Sequence, residues 1–207
     1  MNFVEWLTLL LVCTLGAVSP GPSLLVVLNQ ALNGSRVHGL LTAVSHGAMV
    51  GVWALLTVIG LSQLLATLPW IEPLLTMVAI LYLLFMAKGA WAGGSVQVDA
   101  QTNAKTSYWQ AIRDGAVIAT FNPKLMLFFI AIFAPFVGPE ADFATKALLV
   151  TTPWLTDTLW YIAVSVMLSS RQSLSVLTRY ESPINKGMAV ALILLASVMF
   201  YGLISQL

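Results

Sequence analysis

Two charged side chains sit inside apolar runs of this chain: Lys124, directly after Asn122 and Pro123, and Asp157, deep in a stretch that runs from 146 to 169. A charge inside a bilayer costs at least ~2.5–3.5 kcal/mol even on insertion scales, so each needs a partner or a task. The natural partners are each other. As a structural ion pair, Lys124 and Asp157 would only neutralise one another. As a functional pair, Lys124 holds a carboxylate while Asp157 binds an ammonium group or a coupling proton. Lysine is a compact point charge that trades its proton when buried, which suits a proton-coupled cycle. Histidine is the side chain suited to relaying protons at physiological pH, and His46, in "SHGAMVG", is either such a relay or a packed, hydrogen-bonded core residue.

Backbone breaks accompany the charges. "AVSPGPSLLVVL", residues 17–28, sets Pro20, Gly21 and Pro22 in the middle of an apolar run. In an exposed helix interior each proline would cost about 3 kcal/mol. A membrane helix tolerates freed carbonyls only where backbone is buried in protein or lines a wet cavity. Asn122 and Pro123 repeat the device further on. Singly, such breaks are kinks satisfied by neighbouring helices; as a pair they point to backbone facing a ligand. Trp53 and Trp160 lie deeper than the other tryptophans and either line a pathway or pack the core. Gly47 and Gly51 form a small-xxx-small face for close helix packing or dimerisation.

The elements that position these residues follow from composition. Of 207 residues, 59% are hydrophobic and 8% charged, against about a quarter charged in soluble domains. A net charge of +1, with Lys and Arg scattered, excludes nucleic acid as a partner. The single Cys13 excludes an intramolecular disulfide, a CxxC pair and a thiolate metal site; no cofactor and no metal are expected. The bilayer is the implied solvent.

Spanning helices need about 20 mostly apolar residues. Six stretches qualify, at 4–28, 40–67, 72–91, 111–137, 146–169 and 187–206, joined by short polar connections. The first resembles a signal peptide, but it carries Glu5 and no early Lys or Arg, and its apolar run continues to Leu28, so it reads as an uncleaved span. The reading is a single transmembrane domain over 1–207: a three-helix repeat at 1–91, a linker at 92–110 and a second repeat at 111–207. Lys and Arg gather on connections one, three and five (Arg36; Lys88, Lys105, Arg113; Arg171, Arg179, Lys186), with Lys146 alone opposite. That bias places both termini outside the cytoplasm.

A shift of 101 residues lays Pro22 on Pro123, Leu24 on Leu125, Trp53 on Trp154 and Thr57 on Thr158. With three spans per half, the second half enters the membrane inverted. The fold class expected is therefore an all-α integral membrane protein of six transmembrane helices, two inverted repeats whose first helices are each broken by proline. Such paired breaks point to a transporter with its site near the midplane.

"SPGPSLLVVLNQALNGSRVHGLLTAVSHGAMVGVW", with its Gly34, Arg36 and Gly39 loop, together with "FNPKLMLFFIAIFAPFV" and "DTLWY" from Asp157, resembles the signatures of the lysine exporter and homoserine/threonine exporter superfamily over nearly the whole chain. The resemblance implies a bacterial inner-membrane exporter of amino acids, driven by proton antiport, with a homodimer as the expected assembly. It places Pro20, Gly21, Pro22, Ser23, Asn122, Pro123, Lys124 and Asp157 at the substrate or coupling site. Ser23 departs from the Asn that many members carry after the Pro-Gly-Pro triplet. One deep acid beside a lysine favours a neutral, zwitterionic substrate. Basic amino acids or another small cationic solute remain the alternative, while an intramembrane enzyme would need a nucleophile and base on facing helices.

Overall fold

The structure is a computed structural model that describes residues 1–19, 21–93, 107–133, 136–137, 141–167 and 171–205; for 69, 123, 130–132 and 171–181 it describes the backbone alone. Pro20, and most of the expected linker at 92–110, lie outside the described residues. Every regular element among them is helical.

Helix α1 (Phe3–Val18) opens on a capping box: Asn2 Oδ1 accepts from the Glu5 amide at 2.9 Å, and Glu5 Oε2 accepts from the Asn2 amide at 2.8 Å. Two orphan donors of the first turn are thereby satisfied. The chain leaves the helix at Ser19 and re-enters at α2 (Pro22–Asn29), where proline at the first helical position loses no bond it could have made. The path bends by 59° across this break. A π-helical turn, Gln30–Gly34, leads into α3 (Arg36–Thr67). Its 32 residues measure roughly 48 Å at 1.5 Å each, more than a ~30 Å hydrocarbon core, so a span this long is tilted. A short 3-10 turn, Pro69–Ile71, precedes α4 (Glu72–Ala92), which stops at Gly93 with φ +70°, a backbone conformation that favours glycine.

The second half repeats the order. Ser107 caps α5 (Tyr108–Phe121), and α6 (Pro123–Phe133) follows after one residue, Asn122. Helix α7 (Phe143–Met167) contains Pro153, and α8 (Arg171–Ile204) contains Pro183. The polar stretch 171–186, read from sequence as part of a connection, is instead helical and continuous with the last span. It holds no glycine or proline before Pro183, so nothing in the backbone stops a helix from running past the apolar segment.

Among the described residues three helices are long and apolar enough to cross a membrane, Arg36–Thr67, Glu72–Ala92 and Ser182–Ile204, and the bent α1–α2 pair makes a fourth. Helices α5 and α6, with 14 and 11 residues, are each too short to span alone. Helix α7 has the length, at 25 residues, but carries Lys146, Asp157 and several threonines.

At the centre, α3 packs on α5 and α7, α1 on α7, and α4 on α8. Along α3, Gly39 faces Ser165, Gly47 faces Thr158 and Gly51 faces Trp154, so rising numbers meet falling ones and the two helices are antiparallel. A Cβ on Gly39 would lie 2.7 Å from Ala31 Cβ, and one on Gly47 would collide with the Thr158 side chain. These glycines let the backbones approach. Gly47 and Gly51 are thus consumed by packing within the chain, which removes the dimerisation alternative for this face. Leu9, Leu83, Phe129, Phe133, Leu149 and Leu192 fill the main core, while Phe85, Leu159, Leu194 and Tyr201 are exposed around it. That is the inside-out apolar surface a lipid-facing bundle presents.

Candidate functional site

Both helix breaks open onto one pocket. Its wall includes Ser19, Gly21 and Ser23 from the first break, Asn122 and Lys124 from the second, and His46 and Asp157 from the antiparallel pair α3 and α7. Two helices begin at this wall. Helix α2 starts at Gly21 with no side-chain cap, and α6 starts beyond Asn122, whose Oδ1 accepts from the Lys124 amide at 3.0 Å. A helix start is a positive dipole end, so the convergence of two favours an anion.

A chain of hydrogen bonds crosses four segments. His46 Nδ1 lies 2.7 Å from Asp157 Oδ2, and His46 Nε2 lies 2.8 Å from Ser23 Oγ. Asn122 Nδ2 donates to the same Ser23 oxygen at 2.9 Å. An ionised carboxylate only accepts, so Nδ1 carries a proton and neutral His46 receives the Ser23 hydroxyl proton at Nε2. Taking up a second proton reverses that last bond. His46 is fully buried, Ser23, Asn122 and Asp157 nearly so, and each has a partner, as buried polar groups require. Tyr161 meets the imidazole edge to face at 5.0 Å between ring centroids and fixes its plane.

Of the two readings of Lys124 and Asp157, the structural ion pair is not made. Asp157 is taken by His46, and Lys124 Nζ donates to Ser19 O at 2.9 Å. Ser19 caps the C-terminus of α1, where helix carbonyls lack intrahelical partners; the long lysine side chain reaches across and satisfies one. An ammonium has three donors, and this bond is the one Lys124 Nζ makes among the described residues. Lys124 is part of the pocket lining, with two donors to spare. A Cβ on Gly21 would lie 3.5 Å from Nζ, in ordinary van der Waals contact, so the backbone of the first break runs beside the charge. Tyr82 Oη donates to the Lys124 carbonyl at 2.7 Å and holds the start of α6.

Of the residues singled out from sequence, Gly21, Ser23, His46, Asn122, Lys124 and Asp157 come together here. Trp53 packs against the main core and Trp160 against a second cluster of Leu24, Val27 and Tyr161; neither lines the pocket. Pro22 supplies the first residue of α2, Pro123 the first of α6. Sequence reasoning missed Tyr161 and Tyr82, although Tyr161 lies one helical turn beyond Asp157, a spacing that puts both on one face. The rest of the lining is mainly apolar, with Val50, Leu125, Phe128 and Phe129. Within, about 40 Å³ is open to water centres, room for a few waters at roughly 10–15 Å³ each. No group of three His, Cys, Asp or Glu among the described residues could hold a metal ion.

A family model described as LysE type translocator matches residues 14–203. The threonine efflux protein of Escherichia coli (strain K12) is 26% identical over 137 residues, covering 64% of this chain and 66% of that protein, just under two thirds of its length. The threonine efflux protein of Salmonella typhi is 23% identical over 162 residues, covering 76% and 79% of the two chains. An uncharacterized membrane protein of Vibrio cholerae is 22% identical over 142 residues, 69% of each. No solved structure matches.

Proposed function

Since the chain belongs to the LysE type translocator family, a family of transporters and not of enzymes, we propose that it is a secondary transporter that exports small neutral amino acids from the cytoplasm in exchange for protons. The carrying observation is the pocket's mixed charge: Lys124 and two helix starts share one wall with the Asp157–His46 pair. A zwitterion fits that arrangement, its carboxylate at Lys124 and the positive ends of α2 and α6, its ammonium at Asp157.

Coupling follows from competition. A second proton on His46 puts a positive charge against Asp157, and a substrate ammonium needs the same carboxylate. Two cations at one buried carboxylate repel, so proton and substrate occupy the site in turn. Exchange is the result. Ser23 and Asn122 extend the bonding chain to the broken helices, so protonation of His46 reorients groups at the α2 start. The Asp157–His46–Ser23 order is also that of a hydrolytic triad, but in a translocator it serves proton and substrate handling. Lys124 repels a cation, which counts against basic amino acids or another cationic solute, the alternative cargo on this scaffold.

Transport through this site requires that the pocket open alternately to each side of the membrane. A shift of 101 residues lays α1 on α5, α2 on α6, α3 on α7 and α4 on α8, and α3 runs antiparallel to α7, as repeat mates do in an inverted repeat. This supports six crossings of a bacterial inner membrane, with α1–α2 and α5–α6 each a broken span and both termini on the outer side. A homodimer is compatible with this arrangement and is carried by the family likeness alone.

The test is counterflow in proteoliposomes loaded with a panel of neutral and basic amino acids. Exit of neutral ones, lost in Lys124→Met, supports the reading. Exit of basic ones alone, or of none, overturns it.

A further inference from the structure

Gln30, at the junction of α2 and the π-helical turn, is buried, yet its side chain crosses to another helix: Nε2 donates to Asp114 Oδ2 on α5 at 2.9 Å. A carboxylate only accepts, so the amide must turn its nitrogen to Asp114 and its oxygen away. That oxygen, Oε1, is buried with no donor among the described residues, and Oδ1 of the adjacent Asn29 is in the same condition. A buried acceptor without a donor is costly and calls for an explanation. The π-helical geometry of Gln30–Gly34 adds to it, because such turns recur at functional sites.

Position gives the explanation. Gln30 lies seven residues beyond Ser23, roughly 10 Å along the helix axis, between the pocket and the side of the chain where Arg36 and Arg113 gather. Resting on the export reading, we propose that Gln30 and Asp114 form an access subsite that takes the ammonium group of the substrate before it reaches Asp157. The cation in contact with Asp114 among the described residues is Arg113, at 3.3 Å and largely exposed, a weak solvent-screened pair. Carboxylate and amide oxygens ask for a ligand that brings N–H donors and positive charge. An ammonium group supplies both and a carboxylate supplies neither. The same contact ties α2 to α5, the helices that flank the two breaks. An ammonium that draws Asp114 away from Gln30 unties them and clears the way to Ser23, His46 and Asn122.

The test compares the two faces of the transporter. In proteoliposomes of defined orientation, KM is measured on each side for a neutral amino acid that the wild type moves. Asp114→Asn and Gln30→Leu should raise KM on the cytoplasmic face by about tenfold and leave the outer face unchanged, while Asp114→Glu, which keeps the carboxylate, restores it. An equal rise on both faces, or none, makes the pair a structural tie and overturns the proposal. If the wild type moves no amino acid at all, the export reading fails first and the subsite with it.

Discussion

His46 Nδ1 and Asp157 Oδ2 stand 2.7 Å apart although 111 residues separate them in the chain, and the bond joins the antiparallel helices α3 and α7 at the wall of the pocket. Both side chains are buried. With His46 neutral, removing Asp157 strands the buried Nδ1–H without an acceptor, which is expected to cost about 1–3 kcal/mol. Asp157→Ala should therefore lower the melting temperature, whereas Asp157→Asn, which keeps a hydrogen-bond acceptor for Nδ1–H, should remain folded and lose exchange. A melt by circular dichroism beside a transport assay separates the two.

Lys124 makes a different prediction. Its ammonium holds Ser19 O and has two donors to spare at the pocket lining, so Lys124→Met should weaken binding of the substrate by about tenfold or more, the range of a hydrogen bond to a charged group. The carboxylate dependence should go with it. Wild type should prefer an amino acid over its methyl ester, and the variant should bind both alike in a competition assay.

How far the site could be read from sequence is clear at these two residues. The breaks at Pro22 and Asn122 were legible because proline and the one-residue interruption are local signals. So were the deep charges, because charge is rare in this chain. Their pairing was not legible: nothing local says that an orphan carbonyl at Ser19 lies within reach of Lys124, or that His46 faces Asp157 from another helix. A lone histidine beside glycines looks like a packed residue until its partner is placed. The extent of α8 was missed for the opposite reason, since a polar run reads as a connection although its backbone has no reason to leave the helix.

Close packing of α3 on α7 predicts a contrast between glycines. A Cβ on Gly47 collides with Thr158, while Gly60, on the same helix, has nothing within 4 Å. Gly47→Ala should destabilise by about 1–3 kcal/mol, the usual cost of overpacking. Gly60→Ala should be neutral or stabilising by about 0.5–1 kcal/mol, since glycine in a helix interior is the poorer choice. Thermal melts of the two variants against wild type read the difference.

At the start of α7, outside the apolar spans, Asp142 accepts from Thr145 through the amide at 2.9 Å. The Thr145 side chain first, and its amide second, hold the Asp142 carboxyl below its ordinary value of 3.8. A carboxylate with a depressed folded value contributes stability that is present above the unfolded value and lost as pH falls through the folded one. Asp142→Ala should thus lower the melting temperature at neutral pH, and the gap to wild type should close as the medium is acidified below 3.8. An equal gap at every pH would mean that the cap contributes no charge effect.

The most direct test of the account follows proton movement and amino-acid exit together in proteoliposomes, with wild type and Asp157→Asn side by side. The account predicts that an imposed proton gradient speeds exit of a neutral amino acid, that protons move the opposite way in proportion, and that the variant loses both. Exit that ignores the gradient, or a folded Asp157→Asn that still exchanges protons for substrate, would contradict it.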